Sequence, residues 1–135
     1  MASLVDVYIL EDHEKSRELI ELNLSLLKTI TFRTGACQED LDRFLREGRK
    51  ARLYMIDGNY PDKAGGTVSF MAPLEIKKIR ELDPQARIVL HSSMPLEQLM
   101  REAGKLGVDY RLKGTAKEDV KYIVQKLEDL AVAGR

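Results

Sequence analysis

Residues 52–61 read RLYMIDGNYP, and the fold turns on how this stretch is understood. Leu53, Tyr54, Met55 and Ile56 make a run of four apolar or aromatic residues. That is short for a helix, and it fits a strand buried on both faces. Gly58, Asn59 and Pro61 supply the turn that ends it. In an open parallel sheet, ligands sit in the crevice at the carboxyl ends of the strands, which is where Asp57 would lie. Taken alone, an Asp at a strand end more often serves a turn than a reaction, so the rest of the chain must decide.

Upstream of this strand, residues 39–47 read as a short helix with Leu41, Phe44 and Leu45 on one face and Gly48 behind it. Residues 29–34 alternate Ile30 and Phe32 with Thr and Arg, as a strand does. Residues 16–27 read as a helix carrying Leu19, Ile20, Asn23, Leu26 and Leu27 near helical spacing. His13 flanks or caps it. Residues 4–10, LVDVYIL, are a further strand that stops on Glu11 and Asp12.

Downstream, residues 59–73 form the one irregular region, with Pro61, Gly65, Gly66 and Pro73. Residues 74–82 return to helix, stopped by Asp83 and Pro84. Residues 87–90, RIVL, make the fourth strand and run into His91, Ser92 and Ser93. Pro95 suits a first helical turn, and Leu96, Leu99, Met100 and Ala103 follow at helical spacing. Met94, Leu99 and Met100 read as core, and His91 reads as a strand-end packing residue. Residues 108–112 are the fifth strand, ending at Lys113. Residues 116–131 are the last helix, with Val120, Ile123, Val124 and Leu127 as its stripe.

Strand followed by helix, five times over, predicts an α/β protein: a doubly wound parallel five-stranded sheet with helices on both faces. At 135 residues the chain is the size of one domain, residues 1–135. Lys plus Arg and Asp plus Glu are each 22, so no basic excess points to nucleic acid. Apolar runs fall far below the roughly 18 residues of a membrane span, and no signal peptide is visible. The single Cys37 has no partner for a disulfide and no zinc-type cluster around it; it reads as a small apolar filler or a partly exposed thiol. Cytoplasm is the default compartment.

Polar groups gather at the strand ends: Glu11 and Asp12, Asp57, Ser92 and Ser93, and Lys113. Three carboxylates on one rim repel one another, and unpaired burial is costly. A hard cation relieves this. Mg²⁺ takes oxygen ligands and commonly binds one or two carboxylates plus a phosphate. An Asp beside it can attack phosphorus, with Lys113 and a Ser hydroxyl to meet the phosphoryl oxygens. The turn after the first strand is Glu-Asp-His-Glu. It lacks the glycines that bring backbone N–H groups to a nucleotide or flavin phosphate.

The motifs VYILEDHE, LYMIDGNYP, IVLHSS and YRLKG, in that order on those strands, resemble the response-regulator receiver domain of two-component signalling, across essentially the whole chain. The resemblance implies a stand-alone, chemotaxis-receiver-like (βα)5 domain of flavodoxin-like strand order 2-1-3-4-5, with no effector domain. It implies Asp57 as phosphoacceptor and Mg²⁺ ligand, with the ion also held by Asp12 directly, by Glu11 mainly through water, and by the backbone carbonyl of Asn59. It implies Lys113 as the salt-bridging lysine, Ser92 as the switch hydroxyl and Tyr110 as the switch aromatic. A histidine kinase or phosphotransfer protein would be the donor. The output would be an unknown protein target, reached through the fourth helix, fifth strand and fifth helix. A weak homodimer on phosphorylation belongs to the same picture. The protein would then be no enzyme beyond catalysing its own phosphorylation and slow dephosphorylation. The alternative is a phosphorylation-independent interaction module of the same fold.

The chain departs from the family in three places. Gly114 follows Lys113 where many members have Pro, so the cis bond usual there does not carry over and the isomer is open. Residues 67–73 look like an insertion of about a turn or two of helix: a partner contact, a lid or a plain loop extension. The switch hydroxyl is open. Counting from Asp83 and Pro84 gives Ser92, counting back from Lys113 gives His91, and a local slip gives Ser93.

Overall fold

The computed structural model describes residues 4–132. Its main sheet contains β1 (Leu4–Leu10), β2 (Phe32–Gly35), β3 (Lys50–Asp57), β6 (Arg87–Ser92) and β7 (Asp109–Leu112), in the order β2-β1-β3-β6-β7. All four pairings are parallel. The short strands β4 (Asn59–Tyr60) and β5 (Ser69–Phe70) pair only with each other, antiparallel. With that hairpin set aside, the order is the expected 2-1-3-4-5.

Five helices cover the sheet: α1 (Glu14–Leu27), α2 (Gln38–Arg46), α3 (Ala72–Leu82), α4 (Leu96–Leu106) and α5 (Ala116–Val132). Side chains alternate across each strand, and that divides the core in two. Val7, Ile9, Leu53, Met55 and Val89 face Ile20, Leu24, Val120, Ile123 and Leu127 of α1 and α5. Tyr8, Leu10, Tyr54, Ile56 and Leu90 face Leu41, Phe44, Ile76, Ile79 and Leu99 of α2, α3 and α4. Strands with both faces covered read as continuous apolar runs, which is why β1 and β3 were recognisable.

Several sequence expectations are corrected. α1 begins two residues earlier than expected, at Glu14, because the His13 imidazole accepts the Ser16 N–H at 3.3 Å and caps the helix. Its buried residues are Ile20 and Leu24, while Leu19 and Leu26 are exposed. β2 starts at Phe32, not at residue 29. β3 starts at Lys50, and β6 extends through His91 and Ser92. Met100 is exposed and Met94 half-buried, so Leu99 alone of that trio is core. Pro95 is the N-cap of α4 and not its first residue. Residues 59–73 are not irregular throughout: β4 and β5 form a hairpin, and α3 begins at Ala72. No peptide bond among the described residues is cis.

Candidate functional site

Register brings the site together. Leu10 pairs with Ile56 and Asp57 pairs with His91. Glu11, one residue past β1, therefore lies beside Asp57 at the same sheet edge. The Glu11 N–H is held by the Gly35 carbonyl at 2.9 Å. At the other end of the site the Lys113 N–H donates to the Ser92 carbonyl at 2.9 Å, which extends the β6–β7 ladder by one bond.

At this edge Lys113 Nζ lies 2.8 Å from Glu11 Oε1 and 3.1 Å from Asp57 Oδ2. One carboxylate oxygen from each of Glu11, Asp12 and Asp57 lies within 4.8 Å of the other two. Glu11 and Asp57 are buried, and Asp12 is half-buried. The group opens into a cleft of about 560 Å³ lined also by His13, Ser16, Asn59, Val68, Ser92, Ser93 and Met94.

The electrostatics follow from one cation among three carboxylates. Burial pushes the Glu11 carboxyl up, but the Lys113 ammonium and the His13 N–H more than reverse this, so it is held below the ordinary range. Burial pushes Asp57 up, Glu11 and Asp12 add to the rise, and Lys113 offsets only part of it. Burial lowers Lys113, while the charges of Asp57 and Glu11 raise it more, so the ammonium is secured. Lys113 and Glu11 thus form the settled pair, and Asp57 carries the unrelieved repulsion. A hard divalent cation suits this set: the donors are oxygens, their charge is in excess, and the cleft leaves room for water ligands.

The other expected residues divide. Ser92 is buried at the end of β6, lines the cleft, and accepts the Met94 N–H at 3.2 Å. Ser93 also lines the cleft but is exposed. His91 points to the opposite face, where its Nε2 lies 3.1 Å from Asp119 Oδ2 on α5. Asn59 lies on the hairpin at the cleft wall. Tyr110 is 40% exposed on β7 and is not part of the cleft wall. Cys37 is buried, the filler of the two readings.

Two further residues matter to the site and carry only faint signals in the sequence. Val68 lines the cleft because β5 folds back onto β4, and the β-forming run TVSF was the available signal. Asp119 has no residue-type signal of its own, although the preceding Thr115-Ala-Lys-Glu118 is a recognisable helix-start pattern.

Comparison with solved structures decides the architecture. A CheY-like receiver domain protein from Methanospirillum hungatei JF-1 superposes with a TM-score of 0.75 at 15% identity, covering 99% of this chain and 100% of that one. The fold is that of a response-regulator receiver domain. A receiver-fold regulator from Thermotoga maritima, TrrA, solved in complex with Mg²⁺ and beryllofluoride, matches at a TM-score of 0.67 and 18% identity over 93% of this chain and 98% of that one. The phosphorylated cyanobacterial phytochrome response regulator RcpA matches at 0.68 and 19% over 98% and 97%. No protein-family model matches the chain, and no curated protein matches it. The receiver likeness is thus carried by backbone architecture, at identities of 15% to 19% among these structures. No described helix is long and apolar enough to cross a membrane.

Proposed function

We propose that this receiver-fold chain is a response regulator whose Asp57 accepts a phosphoryl group from a histidine kinase or phosphotransfer protein. The observation that carries the proposal is Lys113 Nζ bridging Glu11 and Asp57 within 3.1 Å, beside a third carboxylate, in an open cleft. An aspartate oxygen would attack phosphorus while the bond from phosphorus to the donor imidazole nitrogen breaks and that nitrogen keeps the electron pair. Lys113 is positioned to meet negative charge developing on the phosphoryl oxygens. Ser92, buried at the cleft wall, can turn its hydroxyl from the Met94 N–H to a phosphoryl oxygen. Glu11, Asp12, Asp57 and the Asn59 carbonyl would hold Mg²⁺. When bound, that ion would ionise Asp57 and neutralise charge on the transferring group.

The added group brings close to two negative charges and strong acceptors to this edge. Output would run through α4, β7 and α5, with Tyr110 as the exposed aromatic that changes position. A partner that prefers one state shifts the population toward it.

The test is titration of beryllofluoride with Mg²⁺, followed by amide NMR. Shifts at residues lining the cleft and on α4, β7 and α5 are expected for the wild type, and none for Asp57→Asn. Equal shifts in both proteins, or none in the wild type, would leave only a phosphorylation-independent interaction module.

A further inference from the structure

Lys113 can do its proposed work only if the turn that carries it is fixed, and the residue after it is Gly114. No proline stiffens this turn, and its peptide bonds are trans. Beyond the Lys113 N–H bond to the Ser92 carbonyl, a buried carboxylate on α5 holds it. Asp119 Oδ1 accepts the Gly114 N–H at 3.2 Å and the Arg111 Nε–H at 3.3 Å. Its Oδ2 faces His91 Nε2 at 3.1 Å. Arg111 is held in turn with its guanidinium 5.2 Å from the centre of the Tyr122 ring.

These three partners bracket the site. His91 precedes Ser92 and pairs with Asp57 across the sheet. Arg111 and Gly114 stand on either side of Lys113. The bond to Gly114 exists because residue 114 is not proline, which has no N–H to give.

Asp119 is not needed as a helix cap. Thr115 Oγ1 already accepts the Glu118 N–H at 3.2 Å, and Glu118 Oε1 accepts the Thr115 N–H at 3.1 Å. That reciprocal pair is a capping box at the start of α5. Asp119 is only 3% exposed and points toward the sheet. Burial pushes its carboxyl up, but His91, the Gly114 N–H and Arg111 outweigh this and hold it below the ordinary range. It is therefore an ionised acceptor with partners on β6, β7 and the turn.

We infer that Asp119 is the positioning residue for Lys113: by fixing the Arg111–Gly114 turn against the end of β6 it holds the ammonium where a phosphoryl oxygen would arrive. This rests on the proposed function. It also assigns to α5 a direct mechanical link to the site, through a carboxylate that touches neither metal nor phosphoryl group.

The experiment separates positioning from folding. Mg²⁺ alone, and beryllofluoride at saturating Mg²⁺, are titrated into the wild type, Asp119→Ala and Asp119→Asn, each shown to be folded by circular dichroism. Asp119→Ala is expected to weaken beryllofluoride binding about tenfold, the scale of a lost hydrogen bond to a charged group. Mg²⁺ affinity should stay within about twofold, since the acidic ligands lie on other strands. Asp119→Asn keeps an oxygen for the Gly114 N–H and should recover most of the loss. Wild-type-like beryllofluoride binding by Asp119→Ala, or equal loss of Mg²⁺ and beryllofluoride, would overturn the inference. So would a loss in Asp119→Asn as deep as in Asp119→Ala. If Asp119→Ala unfolds, amide exchange in the wild type decides: a protected Gly114 N–H supports the clamp, and exchange at the free-peptide rate refutes it. Failure of the wild type itself to bind beryllofluoride would instead refute the receiver function.

Discussion

Asp57 is the residue on which repulsion in the cleft is concentrated. Glu11 has Lys113 at 2.8 Å, while Asp57 must share the same ammonium at 3.1 Å and is raised by burial and by its acidic neighbours. Replacing it with a neutral isostere removes that cost. Asp57→Asn should therefore stabilise the metal-free protein by about 1 kcal/mol, or roughly 3 to 5 °C in thermal midpoint. Differential scanning calorimetry in chelator would show this, and a destabilised variant would contradict the charge assignment. Lys113→Ala does the reverse, leaving Glu11 and Asp57 unpaired at a buried edge. Urea unfolding without metal should show a loss of roughly 1 to 3 kcal/mol, below the 3 to 5 of a fully buried pair because Lys113 is partly exposed. His91 shows where residue-level reading stopped. Its strand and its packing role were legible, but whether it or Ser92 faced the cleft depended on the face each takes at the end of β6. The structure sends His91 to Asp119 and Ser92 to the cleft.

The elements were legible in proportion to how completely they are buried. Residues 7–10 of β1 and 53–56 of β3 are covered on both faces and appear in the sequence as unbroken apolar runs. The buried face of α1 is not legible from its sequence because leucines occur around much of its circumference. Only Ile20 and Leu24 turn inward, so hydrophobicity without clear periodicity left the face undetermined. The β4–β5 hairpin was hidden because each strand has two residues, too few for an alternating pattern.

α3 carries a further consequence. Glu75 is fully buried, no donor reaches its carboxylate oxygens, and its polar neighbour is another carboxylate, Asp42. Burial and the nearby Asp42 carboxylate push it up to about 8. The folded state thus holds this proton more tightly than the unfolded chain, where Glu titrates near its ordinary value of about 4.3. Stability from this group is present at low pH and falls as pH rises from the ordinary value toward about 8, levelling off above it. Glu75→Gln cannot ionise. Its stability relative to the wild type should climb through that window, by a few kcal/mol at most. Urea melts of both proteins between pH 5 and pH 9 would show a pH-independent difference if Glu75 is ordinary.

For the whole molecule, the alternation of strand and helix was enough to predict the architecture, because parallel strands require crossovers and crossovers are right-handed. The rim on which Glu11, Asp12, Asp57 and Lys113 meet followed from that topology and not from any one motif. What topology could not supply was the support behind the rim. Asp119 lies 62 residues from Asp57 in sequence, and its role depends on the packing of α5 against the end of β6. If the rim holds Mg²⁺, binding must stabilise the entire fold. At a free concentration of 100 times Kd, linkage adds about 2.7 kcal/mol. A thermal-shift titration should show this gain in the wild type and its loss in Asp12→Asn, whose side chain no longer offers a carboxylate. An equal gain in both would place the ion elsewhere.

In the proposed function, Asp57 forms an acyl phosphate. Incubation with a small-molecule phosphodonor and Mg²⁺, borohydride reduction of any acyl phosphate, and peptide mass spectrometry test it directly. The predicted result is a homoserine at position 57, absent when the metal is chelated and absent in Asp57→Asn. Reduction at another carboxylate, or no reduction at all in folded, Mg²⁺-supplied protein, would contradict it.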